Sequence, residues 1–108
     1  MYIYNVTSNV SDAVHDTWIA WMKQVHIPQV LSVGMFYEAK LTRVLVDEEM
    51  GGKTYSVQYR AKSREDLETY YTQFAESLRQ ETVQKFGENV LSFRTELEVI
   101  DVYSVTKH

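Results

Sequence analysis

The residues able to do chemistry cluster in one short stretch, WIAWMKQVHIP (residues 18–28), where a histidine stands two places before the chain's single proline. An imidazole titrates near neutrality, so His26 is the candidate catalytic acid or base. The same side chain in the last turn of a helix favours the helix dipole and can bond the following backbone. Helix ending is therefore the first expectation for His26, and chemistry the second. Trp18, Trp21 and Met22 can line a pocket, although aromatic and thioether stripes at helical spacing commonly form plain core. Tyrosines add hydroxyls that need partners when buried. The candidate ligand-lining set is Tyr4, Trp18, Met22, His26, Tyr59 and Tyr71.

Other chemistries find no support. His15 precedes His26 by three helical turns, or ~16 Å, too far to share a metal. There is no cysteine, so thiolate metal sites, disulfides and thiol nucleophiles are absent together. The acidic run DEEM (47–50) reads as a solvated hairpin tip, and no serine or threonine sits in a recognisable nucleophile turn. No metal and no cofactor are expected. Fifteen acidic against eleven basic residues give a net charge of −4, which disfavours phosphate backbones and makes nucleic acid an unlikely partner. The amino-terminal YIYNVTSNV lacks the basic start and unbroken apolar run of a signal peptide. No segment approaches the ~20 apolar residues of a membrane span. The expected setting is the cytoplasm.

The elements that must position these residues follow from periodicity. YIYNVTSNV alternates as a strand, with Tyr2, Tyr4 and Val6 on one side. Ser11 or Asp12 can cap a helix over 12–26 with a stripe of Val14, Trp18, Trp21 and Val25. Pro28 is expected to end that helix by disfavouring helical dihedrals at Ile27, with one further turn possible before Gly34. Residues 35–61 read as a hairpin around a two-residue Gly51-Gly52 turn. SRED (63–66) resembles a capping box opening a helix over 64–86, with a kink expected near Gln80–Thr82 and Gly87 at its exit. Residues 91–103 alternate as a fourth strand. One domain spans 1–108, with 104–108 a loose tail.

The order β-α-β-β-α-β, with right-handed crossovers, places strands one and three in the centre, four beside one, and two beside three. Both helices then cover one face. The expected class is α+β, a ferredoxin-like sandwich: a four-stranded antiparallel sheet with two helices on one face. The other face needs cover. A two-residue turn would aim Tyr37, Leu41 and Leu45 at it, set Arg43 opposite Arg60, and bring Arg94 alongside, with Glu96 and Glu98 as answering acids. These eight residues are the expected homodimer interface, with a strand-two bulge in EAKLTR the feature that would alter it. The same topology serves RNA-binding sheets, which need exposed aromatics on strands one and three. Here those tyrosines are needed inside.

The pattern W-x-x-W-M-K-x-x-H-I-P-x-V-L-x-x-G-x-F (18–36) resembles the helix-one pattern of the dimeric α+β barrel superfamily. With RVLVDEEMGGKTYSVQY (43–59) and FRTELEVI (93–100), the chain over about residues 1–103 is similar to a family of short bacterial proteins of unknown function within it. The resemblance implies a homodimer whose sheets close a barrel and a small-molecule pocket between sheet and helices. Superfamily activities include cofactor-independent monooxygenases, haem-degrading enzymes and isomerases, and fold does not choose among them. The expected function is a small-molecule-binding or assembly module taking a small apolar or amphipathic molecule. The alternative is a monooxygenase- or isomerase-like enzyme using His26.

Overall fold

The computed structural model describes residues 1–49 and 51–105; Met50 of the acidic run and residues 106–108 of the tail lie outside them. Strand β1 (Tyr2–Val10) is followed by helix α1 (His15–Trp21), a π turn (Met22–His26) and helix α2 (Ile27–Ser32). Strands β2 (Glu38–Arg43) and β3 (Lys53–Ala61) come next, then helices α3 (Arg64–Gln73) and α4 (Ala75–Phe86). A short 3₁₀ turn (Gly87–Asn89) leads into β4 (Val90–Glu98). The sheet is antiparallel throughout, in the order β2-β3-β1-β4. It is a ferredoxin-like α+β sandwich, with Trp18, Met22, Val30, Leu67, Tyr70, Leu78 and Phe86 packed on Tyr4, Val57 and Tyr59. The aromatic residues of β1 and β3 thus lie under the helices.

Pro28 does not end the first helix. Its ring would press on the carbonyl of Gln24 in a regular α-helix, and it has no N–H to donate. The π turn relieves both demands: the Ile27 N–H reaches back five residues to the Met22 carbonyl, and Ile27 keeps helical dihedrals (φ −62°, ψ −47°). The wider turn also changes which side chains face inward. Val25, expected on the buried stripe, is exposed, and His26 turns toward the sheet instead. Neither Ser11 nor Asp12 caps α1. The Ser11 N–H is tied to the Asn89 carbonyl, and α1 starts only at His15.

The second helical rod is capped as expected, with the Ser63 hydroxyl accepting from the Asp66 N–H. Its break falls at Phe74 (φ −126°), not at Gln80–Thr82. Hydroxyls of Thr72 and Ser77 donate to backbone carbonyls on either side of the break, a pairing that bends helices. Strand β4 ends at Glu98, short of the expected Tyr103.

Strand β2 departs furthest from expectation. Leu41 lies opposite Val57 and Glu38 opposite Arg60, and β2 ends at Arg43 while β3 begins at Lys53, so the two-residue turn is not formed. The register differs from the expected one by an odd number of residues, which reverses every side chain of the strand. Leu41 consequently packs on the core, and Arg43 lies opposite Tyr55 rather than Arg60. Two gains explain the choice: Ala39 and Leu41 are covered, and Arg60 meets Glu38 (Nε–Oε1 3.4 Å) instead of a like charge. Gly52 permits the close return, since a Cβ there would stand 2.6 Å from the Val10 carbonyl oxygen. Leu45 sits in the connection, 86% exposed, and Tyr37 precedes β2.

Strand β4 also corrects the open face. Glu98, Glu96 and Arg94 lie opposite Tyr2, Tyr4 and Val6, so they share the helix-covered side. The open side of β4 carries Leu91, Phe93, Thr95 and Leu97 instead, with Phe93 72% exposed. The uncovered apolar area therefore lies along β4 and Ile3, not along β2.

This register makes a testable distinction. Leu41→Ala should lower unfolding free energy by about 1–2 kcal/mol, the scale for a half-buried leucine. Leu45→Ala should change it by less than about 0.5 kcal/mol. Urea titrations of the two variants measure both, and the opposite ranking would restore the two-residue turn.

Candidate functional site

A narrow cavity of about 40 Å³ lies between the sheet and the helices. Its sheet side is built from alternate residues of the central strands and β4: Tyr4, Val6, Ser8, Val57, Tyr59, Ser92 and Arg94. Its helix side comes from Trp18, Met22 and His26 of the first rod and Tyr70, Leu78, Arg79 and Thr82 of the second. The volume suits two or three waters at ~10–15 Å³ each. Beside it opens a groove of about 340 Å³ lined by Tyr4, Tyr71, Arg79, Arg94, Thr95 and Glu96. Tyr4, Arg79 and Arg94 belong to both spaces.

The six sequence-derived lining residues therefore gather in one region. Tyr4, Trp18, Met22, His26 and Tyr59 line the inner cavity, and Tyr71 lines the groove. Tyr55, by contrast, pairs with His15 (OH–Nε2 2.6 Å). The rings form a continuous cluster: Tyr4 has Phe36, Tyr59, Tyr70 and Tyr71 around it at centroid distances of 5.4–6.0 Å.

Sequence reasoning missed Arg79, and it placed Arg94 on the wrong face. Arg79 follows Leu78 on the helix side that also supplies Ala75 and Thr82, so helical spacing carried a signal for it. The Tyr4 hydroxyl accepts from Arg79 Nη2 at 3.2 Å and from Arg94 Nε at 3.1 Å. Glu96 turns the other way: Arg64 donates to it at 3.1 Å, and Tyr71 bonds it as well. The Tyr71 bond, followed by Arg64, holds the Glu96 carboxyl below its usual range.

His26 does not cap a helix. It makes no capping bond, its Nδ1 is buried without a hydrogen-bond partner, and its ring stacks on Trp21 at 4.8 Å. Burial first, and then the positive charge of Arg94, lowers its pKa to about 4. His26 is neutral at pH 7 and presents an uncharged imidazole to the cavity. Burial likewise raises the Tyr59 and Tyr70 phenols, which stay protonated. Among the described residues no group of three or more histidines, cysteines or carboxylates is placed to hold a metal. Among the described residues no helix is long and apolar enough to cross a membrane.

A sheet half-covered by two helical rods, with a pocket between the layers, defines the class as ferredoxin-like α+β. Residues 1–100 match the family described as Domain of unknown function (DUF4286), and the chain belongs to that family. Solved structures agree in fold at low identity. A dimeric ferredoxin-like protein from an uncultured marine organism is 16% identical with a TM-score of 0.68, over 94% of this chain and 97% of that one. An ethyl tert-butyl ether D family protein from Bacillus halodurans is 14% identical with a TM-score of 0.67, covering 93% and 100%. HapK from Hahella chejuensis is 14% identical with a TM-score of 0.68, covering 98% and 100%. No curated protein sequence matches the chain.

The state of His26 predicts a pH dependence. Its folded pKa of about 4 lies below the unfolded value of 6.5, so the unfolded chain binds the proton first. The stability associated with the neutral ring is complete above pH 6.5 and is lost as pH falls toward 4. The loss is on the order of 3 kcal/mol at ~1.4 kcal/mol per unit. Unfolding titrations of wild type and His26→Phe between pH 7 and 4 should show this extra slope in wild type alone; parallel curves would mean a solvated imidazole.

Proposed function

We propose that this protein is a homodimeric module of the cytoplasm that holds a small, partly apolar molecule between its sheet and helices. The observation that carries this reading is the aromatic cavity that shares Tyr4, Arg79 and Arg94 with the larger groove beside it. Pockets of this kind combine apolar walls with a few convergent polar groups. The inner cavity alone is too small for an organic ligand, so the ligand's body occupies the groove and only its tip reaches inward.

Self-association rests on the open face, where Leu91, Phe93 and Leu97 of β4 are exposed and Leu97 lies opposite Ile3. Arg60, with Glu38, contributes the polar part of that face. Tyr37 and Leu45 stay available at its periphery. Leu41, Arg43, Arg94, Glu96 and Glu98 leave the proposed interface because their strands turn them toward the helices.

The second reading is a cofactor-independent monooxygenase- or isomerase-like enzyme with His26 as acid or base. The unpartnered Nδ1 favours it. A group with a pKa of about 4 holds no proton to give at neutral pH and is a weak base there. Binding without catalysis is the better-supported reading.

Native mass spectrometry of protein purified gently from its own host tests the proposal. The expected spectrum is a two-chain mass carrying a small adduct, and Phe93→Glu should give single chains. A single-chain wild-type mass that persists as concentration rises would overturn the dimer. A bare dimer that takes up none of a panel of small aromatic compounds would overturn the binding role.

A further inference from the structure

Among the described residues neither Arg79 nor Arg94 has a carboxylate within ion-pair distance, although both side chains reach the same oxygen. Guanidinium groups brought together repel, and a folded chain commonly answers such a pair with acids. The nearest carboxylate along the groove, Glu96, is engaged by Arg64 and Tyr71. Positive charge is therefore left uncompensated where the cavity meets the groove.

The donor inventory sharpens the point. A phenol oxygen has two lone pairs, and the Tyr4 hydroxyl accepts from both arginines. Its own hydrogen is thereby left to donate. The remaining guanidinium N–H groups of Arg79 and Arg94 have no acceptor among the described residues, and Arg79 Nε is buried without one. Three residues that carry donors, two of them positively charged, thus line the groove beside Tyr71.

We propose that Arg79, Arg94 and the Tyr4 hydroxyl form a carboxylate seat, and that the ligand of this groove is a small aromatic acid. A planar carboxylate matches the guanidinium fork and can accept from both arginines and the phenol. The ligand's ring lies against Tyr71, where aromatic groups pack edge-on or offset. The seat uses no acid–base step. It rests on the reading of the groove as a small-molecule site and adds the charge and shape of what that site takes.

The test uses three probes of nearly equal size: phenylacetate, 2-phenylethanol and phenethylammonium. Binding to the full-length protein is measured by calorimetry at pH 7 and low salt. Phenylacetate should bind at least tenfold more tightly than either other probe. Arg94→Gln and Arg79→Gln should each weaken it by about ten- to a hundredfold, the range for losing a charge-assisted bond. Both variants should weaken 2-phenylethanol far less than phenylacetate, because the alcohol loses at most a neutral bond. Arg94 is exposed, so Arg94→Gln is expected to keep the wild-type melting temperature and guards against a folding artefact. Equal affinity for the acid and the alcohol would overturn the carboxylate seat while leaving a small-molecule groove in place. Binding of none of the three would remove both.

Discussion

The structure depends on Tyr4 more than on any other side chain. Its backbone is central, paired on one side with Tyr59 of β3 and on the other with Glu96 of β4. Its ring is 3% exposed and touches the aromatic groups of Phe36, Tyr59, Tyr70 and Tyr71. A phenol so placed needs a hydrogen-bond partner, since an unsatisfied buried hydroxyl costs about 1–3 kcal/mol. Arg79 from the helix layer and Arg94 from the sheet edge both answer it. One side chain thus ties the two layers together and sets two cations at the mouth of the cavity. The packing of the core and the chemistry of the groove share one residue.

The period-two pattern of β1 made much of this legible. Tyr2, Tyr4 and Val6 on one side demand a covered face, and the β-α-β-β-α-β order places that strand centrally. The strand order and the shared helix face follow from those two facts. What periodicity could not supply was register. In β2 the choice rests on whether the strand runs on to a tight turn or ends early, and Gly51-Gly52 is compatible with both. The early end wins because it buries Leu41 against Val57 and pairs Arg60 with Glu38. For β4, grouping Arg94 with Glu96 and Glu98 was correct; assigning that group to the open face was not, since the register with β1 sets it beside Tyr4 and Val6.

His26 illustrates a different limit. The dipeptide before a proline ordinarily marks a helix end, and a histidine there ordinarily caps. The π turn defeats that rule by moving the hydrogen-bond partner of Ile27 to Met22. Inserting one residue into the turn rotates Val25 outward and His26 inward. Such turns recur at functional sites because they re-aim a side chain without ending the helix. Here the re-aimed side chain is a neutral imidazole lining the same small cavity as the guanidinium pair. A neutral imidazole beside two cations suits the binding of a ligand's anionic tip better than it suits proton transfer.

The most direct measurement of this account is the nitrogen–proton NMR spectrum of the arginine side chains during titration with phenylacetate. The Nε–Hε signals of Arg79 and Arg94 should move together and saturate at one affinity. Those of Arg60 and Arg64, already paired with Glu38 and with Glu68 and Glu96, should stay in place. Uniform small shifts across all arginines, or none at Arg79 and Arg94, would contradict a carboxylate seat built on Tyr4.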